Sequence, residues 1–402
     1  MAHISSGRTP SANSAARLAL DDYAPDAGSL ASTFGFEPEL AAVVRARVED
    51  KLAVEPIEDF RIDFEDGYGI RTDAEEDGHA RTVAQEVAAA DAAGLLPPFV
   101  GIRIKALSPE MHARSLRTLD LFVTALSRAG RGLPENFVVT IPKVMTPAHV
   151  TAVATMCAAL EHRLKLRRNS VALELMIETP QSILAPDGSS PLRALVAAGN
   201  GRVRGAHFGT YDYTALCGIT SSWQHMRHVA CDFARHMMQV ALAQSGVWLS
   251  DGATNILPIP PHRPARGGAL SEVERRENHD AVHRAWRLHF EDAQHSLVTG
   301  FYQGWDLHPA QLPSRFAAVY SFFLAARPAA TVRLRNFIEK AAQATLVGDV
   351  FDDAATGQGL LNFFLRGLNC GALSLEEAEE TALTRNELQG RSFMKIVEAR
   401  RK

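Results

Sequence analysis

Three carboxylates occupy four consecutive positions in RIDFEDGYG, residues 61–69: Asp63, Glu65 and Asp66. Like charges this close repel one another unless water, cations or a metal stand opposite. A solvated turn, a metal site and an acid cluster acting through its neighbours all fit the stretch. Charged residues recur downstream, at the ends of short apolar runs. Arg103 and Lys105 lie in PPFVGIRIKAL, Lys143 closes NFVVTIPKV, and Glu178 closes VALELMIETP. GRVRGAHFGTYDYT leads to Asp212, SGVWLSDG to Asp251, and TGFYQGWDLHP carries Asp306 and His308. Chance polar loops would place Ser, Asn and Gly at these positions more often.

Something must position these side chains, and the runs that carry them read as β-strands separated by helices. Helical sequence runs over Glu37–Leu52, His79–Ala93, Pro147–Arg163 and His225–Gln244, and again after Ser271, whose S-x-x-E spacing to Glu274 is a capping box. Strands alternating with helices imply parallel pairing, because a parallel crossover needs a dozen or more residues. Seven strand candidates, the first around Phe60–Phe64, predict an α/β fold: a (β/α)8 barrel of the TIM type, with one strand ahead of residue 57 missing from the count. The strand ends of such a barrel converge on one mouth.

Strand parity sharpens the picture, since residues two apart share a face. Arg61, Asp63 and Glu65 lie on one side, with Phe60, Ile62 and Phe64 turned toward the helices. Gly101, Arg103 and Lys105 share a face, as do Glu174, Met176 and Glu178. Charges pointing into a barrel mouth are costly unless paired, solvated or bound to a metal. Two readings stay open on spacing alone: a functional site, or structural ion pairs such as Asp63 with Arg103.

Bulk properties remove several function classes. The chain has 402 residues, 46% hydrophobic and 22% charged, enough to bury a substantial core. Its 42 basic and 46 acidic residues give a net charge of −4, without a basic tract interleaved with aromatics, so nucleic acid is not an expected partner. Cys157, Cys217, Cys231 and Cys370 include no C-x-x-C pair, which signals neither a zinc knuckle nor a redox couple and fits a reducing compartment. No apolar run approaches the ~20 residues that span a bilayer. His279 and His283 are four apart on a charged helix without the Glu of H-E-x-x-H, and a solvated face is expected there. The expected division is a flexible tail over 1–30, a barrel over 31–313 and a helical region over 314–402, with a second capping box at Ser374 and Glu377. A cytoplasmic protein with no membrane partner is expected.

The wording of the strand ends adds a resemblance. DFED (63–66) resembles the DLED segment of the citrate lyase β-subunit and malyl-CoA lyase family, the HpcH/HpaI aldolase group of the phosphoenolpyruvate/pyruvate-binding barrel superfamily. HARTVAQEV is similar to its K-x-x-A-R helix, with His79 in the Lys place. GIRIKAL resembles V-R-V-N, IPKV resembles P-K-V, and MIETP resembles I-E-T. HFGTYDYTALCG is similar to F-G-x-x-D-L-x-x-x-L-G, and GWDLHPAQL to G-K-x-x-I-H-P-x-Q, all in the family's order over residues 58–312.

The resemblance implies roles. Glu178 and Asp212 would be the carboxylate ligands of Mg²⁺ (or Mn²⁺), with water and substrate completing the octahedron. Arg103 would grip a carboxylate of a 2-oxo acid or hydroxy acid, and Lys143 and His308 would line the mouth. Asp63 and Glu65 would hold metal-bound waters and orient Arg103. The implied chemistry is carbon–carbon bond cleavage or formation beside a carbonyl, in a homo-oligomer of three or more copies. GDVFDDAATGQGLLNFFL loosely resembles the family's I-D-M-P-x-x-x-x-A segment. It makes Asp352, with Asp353 close behind, the candidate acid/base; a helix cap is the alternative. A malate-synthase-like Claisen condensation with a coenzyme A thioester is the neighbouring reaction. A non-catalytic barrel serving as a binding or assembly module is the rival from another class. The sixth strand ends in DGATNILPIP rather than the family's acidic D-x-x-D, which leaves substrate and thioester use open.

Overall fold

The computed structural model describes residues 12–264, 268–339, 345–347, 350–352 and 354–400. These residues form two compact units.

The first unit contains residues 55–255 and 298–307. Its strands are β1 (Asp59–Asp63), β2 (Phe99–Arg103), β3 (Phe137–Ile141), β4 (Ala172–Ile177), β5 (Val203–Phe208), β6 (Trp248–Ala253) and β7 (Gln303–Trp305). They are hydrogen-bonded in chain order and every pair is parallel. Helices Asp73–Ala92, His112–Ala129, Pro147–Leu164, Leu192–Ala198 and Val229–Leu242 make the successive crossovers. A doubly wound sheet reverses its strand order at a switch point, whereas this one runs straight through, as a TIM-type barrel does. Among the described residues no eighth strand joins this sheet. The segment ahead of β1 is the helix Pro38–Val54, so the missing first strand is not supplied there.

Apolar runs account for the core. Val100, Ile102, Val139, Ile141, Leu173, Leu175, Ala206 and Phe208 are buried on the strands, against Val87, Phe122, Leu126, Val153 and Cys157 from the helices. Phe122 and Phe137 stack with ring centroids 6.0 Å apart, and truncating such a ring to Ala costs roughly 3–5 kcal/mol. The parity of β1 holds: Phe60 and Ile62 pack on this core and Phe64 is buried within it. Gly101 meets a strict requirement, because a Cβ there would lie 2.3 Å from the carbonyl oxygen of Val138 on β3.

The helix expected from His79 begins six residues earlier, at Asp73. Thr72 and Glu75 form a capping box, and the acidic first turn suits the helix N-terminus. That turn is polar and carries no apolar periodicity.

The second unit contains residues 13–54, 256–297 and 308–402. Where a tail over 1–30 was expected, Ala12–Tyr23 and Ala27–Phe34 are helices, with Leu20 and Leu30 buried. Helix Pro38–Val54 packs on helix Leu312–Glu339, with the Lys51 ammonium 5.5 Å from the Phe316 ring centroid. The capping boxes at Ser271 and Ser374 are formed. His283 does not face solvent: it is buried, with Nε2 2.7 Å from the Tyr23 carbonyl oxygen and Nδ1 3.2 Å from Thr33 Oγ1. Among the described residues, no helix is long and apolar enough to cross a membrane.

Candidate active site

The acids of the DFED stretch meet two cations. Asp63 ends β1, and both its oxygens accept from Arg103 at the end of β2: Nε–H to Oδ1 at 2.8 Å and Nη2–H to Oδ2 at 2.6 Å. The N–H groups of Glu65 and Gly67 donate to the same carboxylate at 2.9 and 2.7 Å. Gly67 allows that approach, since a Cβ would lie 2.6 Å from Asp63 Oδ2. Burial pushes the Asp63 carboxyl upward, but Arg103 and the two N–H donors outweigh it and hold it below the ordinary range. Arg103 Nη1 stands 3.5 Å from Glu65 Oε2. The fork expected to meet a substrate is therefore occupied, on its Nε edge, by Asp63.

Lys143 supplies the second cation. Its ammonium bonds Glu65, lies 3.0 Å from Asp66 Oδ2 and stands 3.5 Å from Asp212 Oδ2. Burial opposes the charge, yet these carboxylates keep the amine protonated, well above the usual lysine range. The backbone of Lys143 is left-handed, at φ 49°. This turns its N–H toward Glu178, which accepts it at 2.7 Å through Oε1.

Glu178 follows β4 directly and is 2% exposed. Burial, and then the charge of Asp212, push its carboxyl up to about 7. Asp212 sits in the first turn of helix Thr210–Leu216, whose N-cap is Gly209. A Cβ on Gly209 would fall 2.4 Å from both Cβ and Oε2 of Glu178. Two hard oxygen donors thus stand close enough to repel. A small divalent cation commonly takes one or two carboxylates and fills its remaining positions with water and substrate, so the donor set fits Mg²⁺. Among the described residues no group of three or more His, Cys, Asp and Glu could cage a metal; the fit is to a two-carboxylate site.

Inside the sheet, one layer below, lies a second polar group that spacing alone did not single out as a site. Glu174 Oε2 accepts from Arg61 Nε–H at 3.1 Å, Arg61 Nη2–H at 2.8 Å and Thr140 Oγ1–H at 3.2 Å, and His207 Nε2 is 2.9 Å away. Burial would raise Glu174, but His207 and Arg61 outweigh it and hold the carboxyl down at about 2. Trp305 Nε1–H donates to His207 Nδ1 at 3.1 Å. The available signal was parity: Arg61, Glu174 and His207 precede Asp63, Glu178 and Gly209 by two or four residues on the inward face. Nothing in the chain's spacing pointed to Trp305.

Arg103, Asp63, Glu65, Lys143, Glu178 and Asp212 are brought together. Lys105 is not among them: it donates to the Phe64 carbonyl at 2.6 Å and pairs with Glu76 at 3.1 Å. β2 ends at Arg103, and alternation ends with it. Asp251 pairs with buried Arg235 at 2.8 Å. His308 belongs to the second unit, where its Nδ1 accepts from the Ala310 N–H at 3.1 Å and burial lowers its pKa. Asp352 ends a short hairpin strand, Val350–Asp352; its side chain lies outside the described residues, as does all of Asp353.

A family model described as a domain of unknown function, DUF6986, matches residues 2–396. No curated protein matches the chain. A citrate lyase from Burkholderia xenovorans is similar in structure, with a TM-score of 0.60 at 18% identity over 85% of this chain and 92% of its own. A malate synthase from Haloferax volcanii, in a magnesium/glyoxylate complex, is similar over 98% of this chain and 94% of its own, at 15% identity and a TM-score of 0.48. An HpcH/HpaI aldolase/citrate lyase family protein from Burkholderia cenocepacia covers 52% of this chain and 75% of its own, at 17% identity and a TM-score of 0.33. The likeness to the citrate lyase is one of fold: a parallel barrel-type sheet with helical crossovers.

Proposed function

We propose that this chain, which belongs to the DUF6986 family, is a Mg²⁺-dependent carbon–carbon lyase or aldolase acting on a 2-oxo acid or hydroxy acid. The observation that carries the reading is the pair Glu178 and Asp212 at the ends of adjacent strands, with Lys143 tied to both. These two carboxylates would hold the ion. When bound, Mg²⁺ would polarise the substrate's oxo oxygen and offset the negative charge that grows there as the carbon–carbon bond breaks.

The remaining work falls to side chains of the mouth. Arg103 keeps Nη1 and Nη2 donors after Asp63 has taken its Nε edge, and these would seat the substrate carboxylate. Glu65, Asp66 and Asp212 hold Lys143 as an ammonium. It therefore lacks the free amine that a Schiff-base aldolase requires, and serves instead as a fixed positive charge.

Calorimetric titration of Mg²⁺ into the parent, Glu178→Gln and Asp212→Asn tests the reading. Binding to the parent is expected, with affinity at least about tenfold weaker in each variant. Pyruvate, oxaloacetate and glyoxylate would then be titrated onto the Mg²⁺-loaded parent. Variants that bind Mg²⁺ as well as the parent would remove the foundation of the proposal.

A further inference from the structure

Arg103 is held from three sides. Asp63 clamps the Nε edge in the plane of the guanidinium, and Glu65 stands 3.5 Å from Nη1. The third contact is Trp305 on β7: the Arg103 Cζ lies over its indole ring, 5.6 Å from the centroid. An in-plane pair fixes the direction of a guanidinium but leaves it free to tilt about the pairing axis. An aromatic ring under the guanidinium carbon restricts that freedom, and the ring quadrupole favours the cation there.

The indole is itself anchored. Its Nε1–H donates to His207 Nδ1 at 3.1 Å, with the two rings edge to face at 77° and 5.4 Å between centroids. The other ring nitrogen, Nε2, stands 2.9 Å from Glu174 Oε2. Glu174 is in turn fixed by Arg61 and Thr140. A file of contacts thus runs from the interior of the sheet to the mouth: Glu174, His207, Trp305, Arg103.

We propose that Trp305 is a positioning residue: it restricts the tilt of Arg103, so that the N–H groups of Nη1 and Nη2 not directed at Asp63 meet a substrate carboxylate in one orientation. The inference rests on the oxo-acid reading of the site for its ligand, but not for the contact itself. Trp305 meets Arg103 and His207, whereas the candidate metal ligands are Glu178 and Asp212, so its removal is expected to alter carboxylate binding and leave metal binding alone.

Two variants separate face from donor. Trp305→Phe keeps an aromatic face and loses the N–H; Trp305→Met fills volume and loses both. Exchange of the Arg103 Nε–H with solvent is measured by NMR in the ligand-free protein. Pyruvate affinity is measured by calorimetry with saturating Mg²⁺. Trp305→Met is expected to speed the exchange and weaken pyruvate, each by about tenfold, while Trp305→Phe restores most of both and Mg²⁺ affinity stays at the parent's value. Trp305→Leu takes the place of the methionine variant should that one not fold. Unchanged exchange and pyruvate affinity in the methionine variant overturn the inference, as does a phenylalanine variant no better than the methionine one. A parent that binds no oxo acid would sink the proposed function, while the exchange measurement would still decide the role of Trp305.

Discussion

The main-chain N–H of Lys143 donates to Glu178 Oε1 at 2.7 Å, so one residue fastens a candidate metal ligand with its backbone while its ammonium stands among the acids. The left-handed backbone at φ 49° makes this double use possible. Glu178 and Asp212 are thereby tied to one residue by different atoms. The tie to Glu178 needs only a backbone N–H, which every residue but proline supplies; the ion pair with Asp212 needs the ammonium.

Lys143→Asn exploits that separation, because Asn tolerates the left-handed region better than most residues. Removing the ammonium leaves Glu65, Asp66 and Asp212 without their shared cation. The metal-free protein should lose about 1–2 kcal/mol of stability in urea unfolding, a buried-pair loss discounted for partial exposure. Mg²⁺ should bind at least as tightly as in the parent, since a competing positive charge beside Asp212 is gone. A variant that loses Mg²⁺ would make the ammonium a support of the metal site rather than a rival to it.

Gly209→Ala tests how tightly Glu178 is placed. The backbone there, at φ −112° and ψ 102°, accepts Ala without strain, so the cost is steric. The new Cβ would meet Glu178 Cβ and Oε2 at 2.4 Å and push the carboxylate aside. A destabilisation of roughly 1–3 kcal/mol is expected, as for other overpacked positions. Calorimetry should show Mg²⁺ affinity falling by about tenfold. Full retention of affinity would mean that the carboxylate can move without consequence.

Glu174 makes a pH prediction. Its folded carboxyl is held down at about 2, against 4.5 for an unperturbed one. Between those values the unfolded chain takes up a proton that the folded chain refuses. The stability Glu174 contributes is therefore present above pH 4.5 and is lost as pH falls toward 2. From pH 5.5 to 3.5 the loss should be about 1 kcal/mol. Urea unfolding of the parent and of Glu174→Gln at both pH values isolates this share, because other carboxylates cancel in the difference. Equal pH dependence in the two proteins would show that Glu174 is not held in its charged form.

What the sequence determined by itself is what repeats over short distances. Alternation along β1 placed Arg61 and Asp63 opposite Phe60, Ile62 and Phe64, and the S-x-x-E spacings marked the caps at Ser271 and Ser374. Seven apolar runs between helical stretches announced seven parallel strands in chain order, since each crossover is local. Tertiary structure decided the rest. Arg103 and Lys105 carry the same parity, yet one turns to Asp63 and the other to Glu76, because the strand stops between them and backbone direction beyond it is set by packing. The tail-like start of the chain became two helices of a unit that also includes residues 308–402. Above all, His207 and Trp305 meet across 98 residues of sequence. Their partnership depends on where β5 and β7 stand in the sheet, and periodicity of 2 or 3.6 residues carries no record of a distance closed only by folding.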